Sequence, residues 1–273
     1  APEKVVRACL VYGARAALAD AQGGTAREFL ARLMWRHDLA ADEFRQARLL
    51  VVETYLAEDK PQPAYVLMLR YQQDYKSAER DSAVRFVDAL LAAGMEKEAV
   101  NWFAQLDDTS PVKLLMRLKT NLIAPDAAIA QARAALAKNN NAGYWRVLQQ
   151  AGALQQDRTL QVEALENMLQ LAGDQPASRL AAIAAELWQA YFAAAQDVAN
   201  RNQLLVGDDA GWADYAARRS SANASAGRAL FAYLARRSRD RATRHTAQLQ
   251  LAFSLQSAKL GLTAIRLFDA AKD

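Results

Sequence analysis

The sequence predicts an all-α protein, and three observations carry that expectation. Alanine makes up about a fifth of the 273 residues, against only 11 Gly and 6 Pro; such a composition favours helix over every alternative. Apolar residues recur at helical spacing. In Ser82–Leu106 they run Val84, Val87, Leu90, Leu91 and then, past Gly94, Ala99, Val100, Phe103, Leu106, while no stretch alternates as a half-buried strand would. Finally, one small pattern returns: an alanine, a large apolar residue after it, and a bulky one four positions after the alanine. Its instances are Ala64-Tyr65 with Met68, Ala99-Val100 with Phe103, the weaker Ala128-Ile129, Ala164-Leu165 with Met168, Ala229-Leu230 with Tyr233, and Ala264-Ile265 with Phe268. The alanines lie 35, 29, 36, 65 and 35 apart, the 65 standing for two repeats, and this is the period of a helix-turn-helix repeat. The expected architecture is an α-solenoid of antiparallel helix pairs, about seven or eight repeats of roughly 35 residues in a right-handed superhelical arc. It is expected as a single domain over 1–273 with an irregular segment near 200–215.

In chain order, Val5 to Ala19 reads as a helix broken by Gly23-Gly24, and Thr25 with Glu28 as a capping box for the next helix, whose Phe29, Leu30, Leu33 and Met34 face the core. Cys9, at helical spacing from Val5, Val6 and Tyr12, is expected as a small core residue. Asp42–Leu56 and Pro63–Tyr75 pair through Asp59-Lys60-Pro61. Gly94 supplies the left-handed residue that ends one helix so that Met95–Glu98 starts the next. Ser110-Pro111 and Ala124-Pro125 open helices with proline at the tolerated first position, and Asn139-Asn140-Asn141 is a turn. A long alanine-rich helix follows over Arg179–Val198, and Leu204–Trp212 interrupts the pattern.

Other positions keep step with the alanines. Tyr55, Leu90 and Leu255 each lie nine residues before one, and Pro111 and Pro176 each lie twelve after one. With Ala252, Leu255, Ala264, Phe268 and Ala271 in one unit and Leu148, Gly152, Ala164, Met168 and Pro176 in another, the chain resembles the tetratricopeptide repeat family over 45–115, 145–176 and 225–273. The tryptophan, glycine and tyrosine of that family's first helix are mostly replaced. The resemblance implies stacked helix pairs and a concave face that binds protein or peptide.

No apolar run approaches the ~20 residues of a membrane span. The single cysteine cannot form an internal disulfide. His37 and His245 fall in separate repeats, so no Cys/His cluster offers a metal site, and no Gly-rich phosphate loop or Gly-x-Ser-x-Gly elbow occurs. Asp208 and Asp209 sit together in a turn, where N-capping of a helix is the simpler reading than a cation site. The tryptophans, Trp35, Trp102, Trp145, Trp188 and Trp212, are expected to pack. No catalytic, cofactor-binding or metal-binding residue is proposed and no cofactor is expected.

Charge has a direction. Between Arg218 and Arg244 stand eight arginines against Asp240 alone, a net +7 in a chain of net +4, so the basicity is local and suits an acidic partner. Arg219, Arg236, Arg237, Arg239, Arg241 and Arg244 are the candidate partner-binding residues, and Arg237, Arg241 and Arg244 share one helical face if the helix starting near Ser238 extends back one turn. Nucleic acid is a weaker candidate, because Phe231 and Tyr233 fall on the apolar stripe. The expected function is a non-enzymatic scaffold that binds protein or peptide. The alternative makes the chain the helical superstructure of a bacterial cell-envelope enzyme whose catalytic domain lies beyond Asp273; in architecture it resembles the alanine-rich arcs of soluble lytic transglycosylases. Location follows as periplasm or cell envelope if a signal peptide has been removed, and cytoplasm otherwise.

Overall fold

A computed structural model describes residues 2–75, 78–172, 177–202 and 208–260. These form fourteen α-helices and, among the described residues, no strand. Two compact units divide the chain at Thr120.

The first unit, Ala1–Thr120, holds α1 (Pro2–Ala19), α2 (Gly23–Met34), α3 (Ala41–Ala57), α4 (Pro61–Tyr75), α5 (Arg80–Ala92), α6 (Glu96–Ala99) and α7 (Pro111–Lys119). Each of α1 and α3 packs on the helix that follows it, and α1, α3, α5 and α7 also touch in succession. Between partners the chain reverses through one turn geometry. Ala21, Asp59 and Gly94 adopt positive φ of 56°, 56° and 73°. The next amide then reaches back five residues: Gln22 to the Ala17 carbonyl at 2.8 Å, Lys60 to Tyr55 at 2.8 Å, Met95 to Leu90 at 2.9 Å. This closes the orphan carbonyls of the first helix. Five residues after each left-handed residue stands an alanine with no exposed surface: Ala26, Ala64, Ala99. The nine-residue offset between Tyr55 or Leu90 and its alanine thus runs from the carbonyl that closes the turn to the small residue that lets the second helix approach. The same relation joins Ala17 to Ala26, a pair the sequence pattern passes over because Arg27 replaces the large apolar residue.

Several local expectations are corrected. Helix α2 starts at Gly23, not at a Thr25–Glu28 capping box, because a Cβ on Gly23 would stand 2.7 Å from the Thr54 carbonyl oxygen; glycine lets α2 begin against α3. Cys9 is exposed. The face of α1 that packs carries Leu10, Ala14 and Ala17, which turns Val5, Cys9 and Tyr12 outward. After α6 the chain tightens to a 3-10 helix over Val100–Gln105. At three residues per turn Trp102 rotates inward against Phe86 and Tyr65, with ring centroids at 4.8 and 5.6 Å, and Val100, expected in the core, is 48% exposed. Trp35, expected to pack, is 84% exposed; the other four tryptophans are buried.

The second unit, Asn121–Asp273, holds α8 (Pro125–Leu136), α9 (Ala142–Gln155), α10 (Arg158–Leu171), α11 (Ala177–Asn202), α12 (Asp209–Ala222), α13 (Ala224–Arg237) and α14 (Arg241–Ser257). The left-handed turn recurs at Gln156, with Asp157 N–H donating to the Gly152 carbonyl at 2.8 Å, and at Lys259, with Leu260 N–H donating to Leu255 at 2.8 Å. Five residues after Gln156 stands Gln161, not alanine; its amide donates to the Gly152 carbonyl at 3.0 Å, so Ala164 is out of step by one helical turn. The core gathers Leu187, Trp188 and Tyr191 of α11, Leu230, Phe231 and Leu234 of α13, and Leu251 and Leu255 of α14. Asn223 alone links α12 to α13, serving as C-cap of one and N-cap of the other. Of the irregular segment expected near 200–215, residues 203–207 lie outside the described residues, and from Asp209 the chain is helical. Ala264, Phe268, Ala271 and Pro176 also lie outside the described residues.

Candidate functional site

The arginines between 218 and 244 separate into three fates. Arg218 pairs along its own helix with Asp214 at 2.8 Å. Arg228 is buried, its side chain 8% exposed, and forms a two-pronged ion pair with Glu166 of α10: Nε to Oε1 at 2.7 Å and Nη2 to Oε2. The remaining six are Arg219, Arg236, Arg237, Arg239, Arg241 and Arg244, and none forms an ion pair with a described residue.

Those six do not share one surface, and the expected single-helix face is not formed. Helix α13 ends at Arg237 and α14 begins at Arg241, so Arg237 cannot stand in register with Arg241 and Arg244. Ser238 leaves helical geometry with ψ at 132° and tucks its side chain inward, 3% exposed. Its hydroxyl donates to Asp209 Oδ2 of α12 at 2.6 Å, and the backbone amides of Arg239 and Asp240 donate to the same oxygen at 3.0 and 3.2 Å. These donors hold the Asp209 carboxyl below its ordinary range, the Ser238 hydroxyl contributing most and the amides adding to it against a burial penalty. Asp240 caps α14 through the Thr243 amide and hydroxyl, both at 2.7 Å, and Asp208 caps α12 through the Gly211 amide at 2.9 Å.

Five arginines therefore surround a pinned turn: Arg236 and Arg237 at the end of α13, Arg239 within the turn, Arg241 and Arg244 in the first turn of α14. Arg236 lies over the Phe192 ring at 5.6 Å. Arg219 is elsewhere. Because Asp209 at the start of α12 touches the turn and Arg219 lies ten residues further on, the helical rise places it about 15 Å away along α12. The fold also brings in acids that counting along the chain omits. Asp208 and Asp209 join Asp240, and five arginines against three aspartates leave +2. All three carboxylates are turned to backbone amides or hydroxyls, while Arg237, Arg239 and Arg241 are exposed.

The chain pattern gives no hint of the second cluster, around Glu166. Besides Arg228, Glu166 accepts from the Tyr191 hydroxyl of α11 at 2.6 Å and from the Ser225 hydroxyl of α13 at 2.7 Å, and Arg228 Nη1 donates to Ser254 Oγ of α14 at 3.2 Å. Burial pushes the Tyr191 hydroxyl well above its ordinary range, and the Glu166 charge adds to that. Burial opposes the charge on Arg228, yet the bonds and attraction of Glu166 outweigh it and raise the guanidinium further. With every partner satisfied and four helices joined, this network does structural work: it fixes how α10, α11, α13 and α14 meet.

A third feature lies in the first unit. Among α1, α3 and α5 lies an open cavity of about 460 Å³ whose lining includes Leu18, Leu49 and Leu50 together with Arg15, Gln46, Glu53, Glu79, Ser82 and Arg85. Glu53 is held by Arg85 and by the Ser82 hydroxyl at 2.9 Å. Arg15, Gln46 and Glu79 stay exposed. Among the described residues no three His, Cys, Asp or Glu side chains converge as metal ligands, and no helix is long and apolar enough to cross a membrane. No protein-family model matches the chain, and no curated protein is significantly similar to it.

Proposed function

We propose that the chain is a non-enzymatic helical-repeat scaffold that binds a protein segment or peptide, with the helix pairs acting as repeats of a solenoid. The observation that carries this reading is the groove across α1, α3 and α5. Each of these helices is the first of a pair closed by the same left-handed turn, so each presents its outer residues at a regular interval to a shared surface. A lining that mixes leucines with separated polar groups suits a peptide chain. Leucines take an apolar side chain, while Arg15 and Gln46 offer donors and Glu79 an acceptor. The test is a displayed-peptide selection against the whole protein, followed by anisotropy titration of the recovered peptides on Gln46→Trp and Arg15→Glu. Loss of tenfold or more in affinity on both variants supports the groove. Peptides that bind the filled groove as tightly as the wild type would show that it is not the binding face.

A further inference from the structure

The turn between α13 and α14 is built for display. Four features of it are independent of the groove in the first unit. Its backbone is fixed from below, since one oxygen of Asp209 takes three hydrogen bonds from Ser238, Arg239 and Asp240. Ser238 is buried between two exposed arginines. The nearby carboxylates are occupied by amides and hydroxyls. Elsewhere in the same unit the arginines Arg133, Arg218 and Arg228 do have acidic partners at ion-pair distance, so the exposed set is a departure from how this fold otherwise treats arginine.

From this geometry we infer that the Arg237–Arg241 turn docks a carboxylate-rich polypeptide segment, with guanidiniums pairing individual carboxylates at contact distance. Guanidinium offers a planar fork that matches a carboxylate two bonds at a time. A turn already held by Asp209 loses less freedom on binding than a mobile loop would. Two other polyanions fit less well. Single-stranded nucleic acid needs exposed rings on which bases stack, but Phe231 is buried, and Tyr233 is engaged by Trp212 and Phe192 at centroid distances of 5.1 and 5.7 Å. An anionic membrane responds to summed charge over a wide area, and the three aspartates reduce the local sum to +2. Contact pairing does not depend on that sum.

The test titrates a fluorescein-labelled peptide of alternating Glu and Ser into the full chain, with an oligo-dT strand of equal charge and phosphatidylserine vesicles as parallel probes. Wild type should bind the peptide more tightly than oligo-dT at equal ionic strength. Arg237→Gln/Arg239→Gln/Arg241→Gln should weaken the peptide at least tenfold, and the corresponding triple lysine variant should recover less than half of that loss, since lysine keeps the charge and not the fork. Arg219→Gln, at the far end of α12, should stay within twofold of wild type. Asp209→Asn should weaken the peptide severalfold with all five arginines present. Circular dichroism showing an unchanged helical signal confirms that each variant is folded. The proposal is overturned if the triple glutamine variant binds within twofold of wild type, if triple lysine restores full binding, or if oligo-dT or the vesicles bind more tightly than the peptide.

Discussion

The two units treat charge in opposite ways. Residues 1–120 carry 17 basic and 17 acidic side chains, and residues 121–273 carry 17 and 13. In the first unit several basic residues are paired at or near the surface across elements: Arg7 with Asp38, Arg27 with Glu58, Arg85 with Glu53, Lys119 with Glu96. The first three pairs join residues 31 or 32 apart, so each ties together segments well separated along the chain. The second unit also has a surface pair, Arg133 with Glu163 at 2.6 Å, but it takes another into its core, Glu166 with Arg228, and leaves five arginines around the α13–α14 turn without an acid at ion-pair distance among the described residues. The same residue type is a surface staple, a core clamp or a cation without an acid at contact according to whether a carboxylate faces it from another element, is buried beside it, or is already occupied by backbone amides and hydroxyls. Ranking the consequences by size tests that division.

The core clamp should give the largest effect. Arg228→Met alone would strand the Glu166 carboxylate among Tyr191 and Ser225 in a buried site, and breaking such a pair costs about 3–5 kcal/mol. The double variant Glu166→Leu/Arg228→Met removes both charges and should regain much of the loss. Urea unfolding of the three proteins measures this. A single-variant loss below about 1 kcal/mol would place the pair with exposed ones and erase the contrast between units.

The turns come next, and they test what the helix pairs share. Ala21 sits at φ 56° and Gly94 at φ 73° in the same turn. A Cβ is disfavoured there, so Ala21→Gly should raise stability and Gly94→Ala lower it, each by about 1 kcal/mol. Nothing lies within 4 Å of a Cβ built on Gly94, which isolates the backbone term from packing. Opposite signs in thermal unfolding are the expected result; equal signs would mean that the two turns are not equivalent.

Asp209 offers a pH test confined to the second unit. Its folded-state pKa lies below the ordinary carboxylate value. Its contribution is therefore present above the unfolded pKa of about 4 and is lost as pH falls through the lower folded value. Asp209→Asn should cost about 1 kcal/mol at pH 7, and the gap to wild type should close in strong acid. A gap that stayed constant down to pH 2 would assign the effect to the side-chain amide rather than to the lost charge.

How much of this was legible depended on the range of the interaction. Buried alanines and helical stripes are local, and Ala64, Ala99, Ala128, Ala164 and Ala229 are indeed buried. The closing turn was readable at Gly94, where glycine marks it, and its place at Asp59-Lys60-Pro61, but not at Ala21, Gln156 or Lys259, where hydrogen bonding holds an ordinary residue at positive φ. The Glu166–Arg228 clamp spans 62 residues, with no pattern to announce it. Arg237, Arg241 and Arg244 fit a helical spacing on paper, but the Asp209 carboxylate offers the backbone a better set of hydrogen bonds in a turn than a continuing helix would. Cys9 is exposed because helical spacing shows which residues share a face and not which face is covered, and Val100 because the 3-10 segment from Val100 to Gln105 breaks the 3.6-residue spacing itself.

The smallest expected effect concerns the stability of the exposed arginines, and its sign is the informative part. Arg241 and Arg244 stand in the first turn of α14, where the helix dipole disfavours cations, whereas Arg236 and Arg237 stand in the last turn of α13, where it favours them. No described acid stands at ion-pair distance from any of them, and at α14 repulsion among neighbours adds to the dipole effect while the attraction of Asp240 for Arg244 offsets part of it; at α13 repulsion opposes the dipole. Arg241→Gln/Arg244→Gln should therefore leave the thermal midpoint unchanged or raise it slightly at low salt, and Arg236→Gln/Arg237→Gln should lower it slightly, the more so because Arg236 also covers the Phe192 ring. Salt at 0.5 M should shrink both differences, since Arg236, Arg237 and Arg241 are exposed and Arg244 only half-buried. A marked fall in the α14 variant would mean that those arginines are structural after all, and the distinction between a stapled first unit and a second unit with cations to spare would fail at its most exposed point.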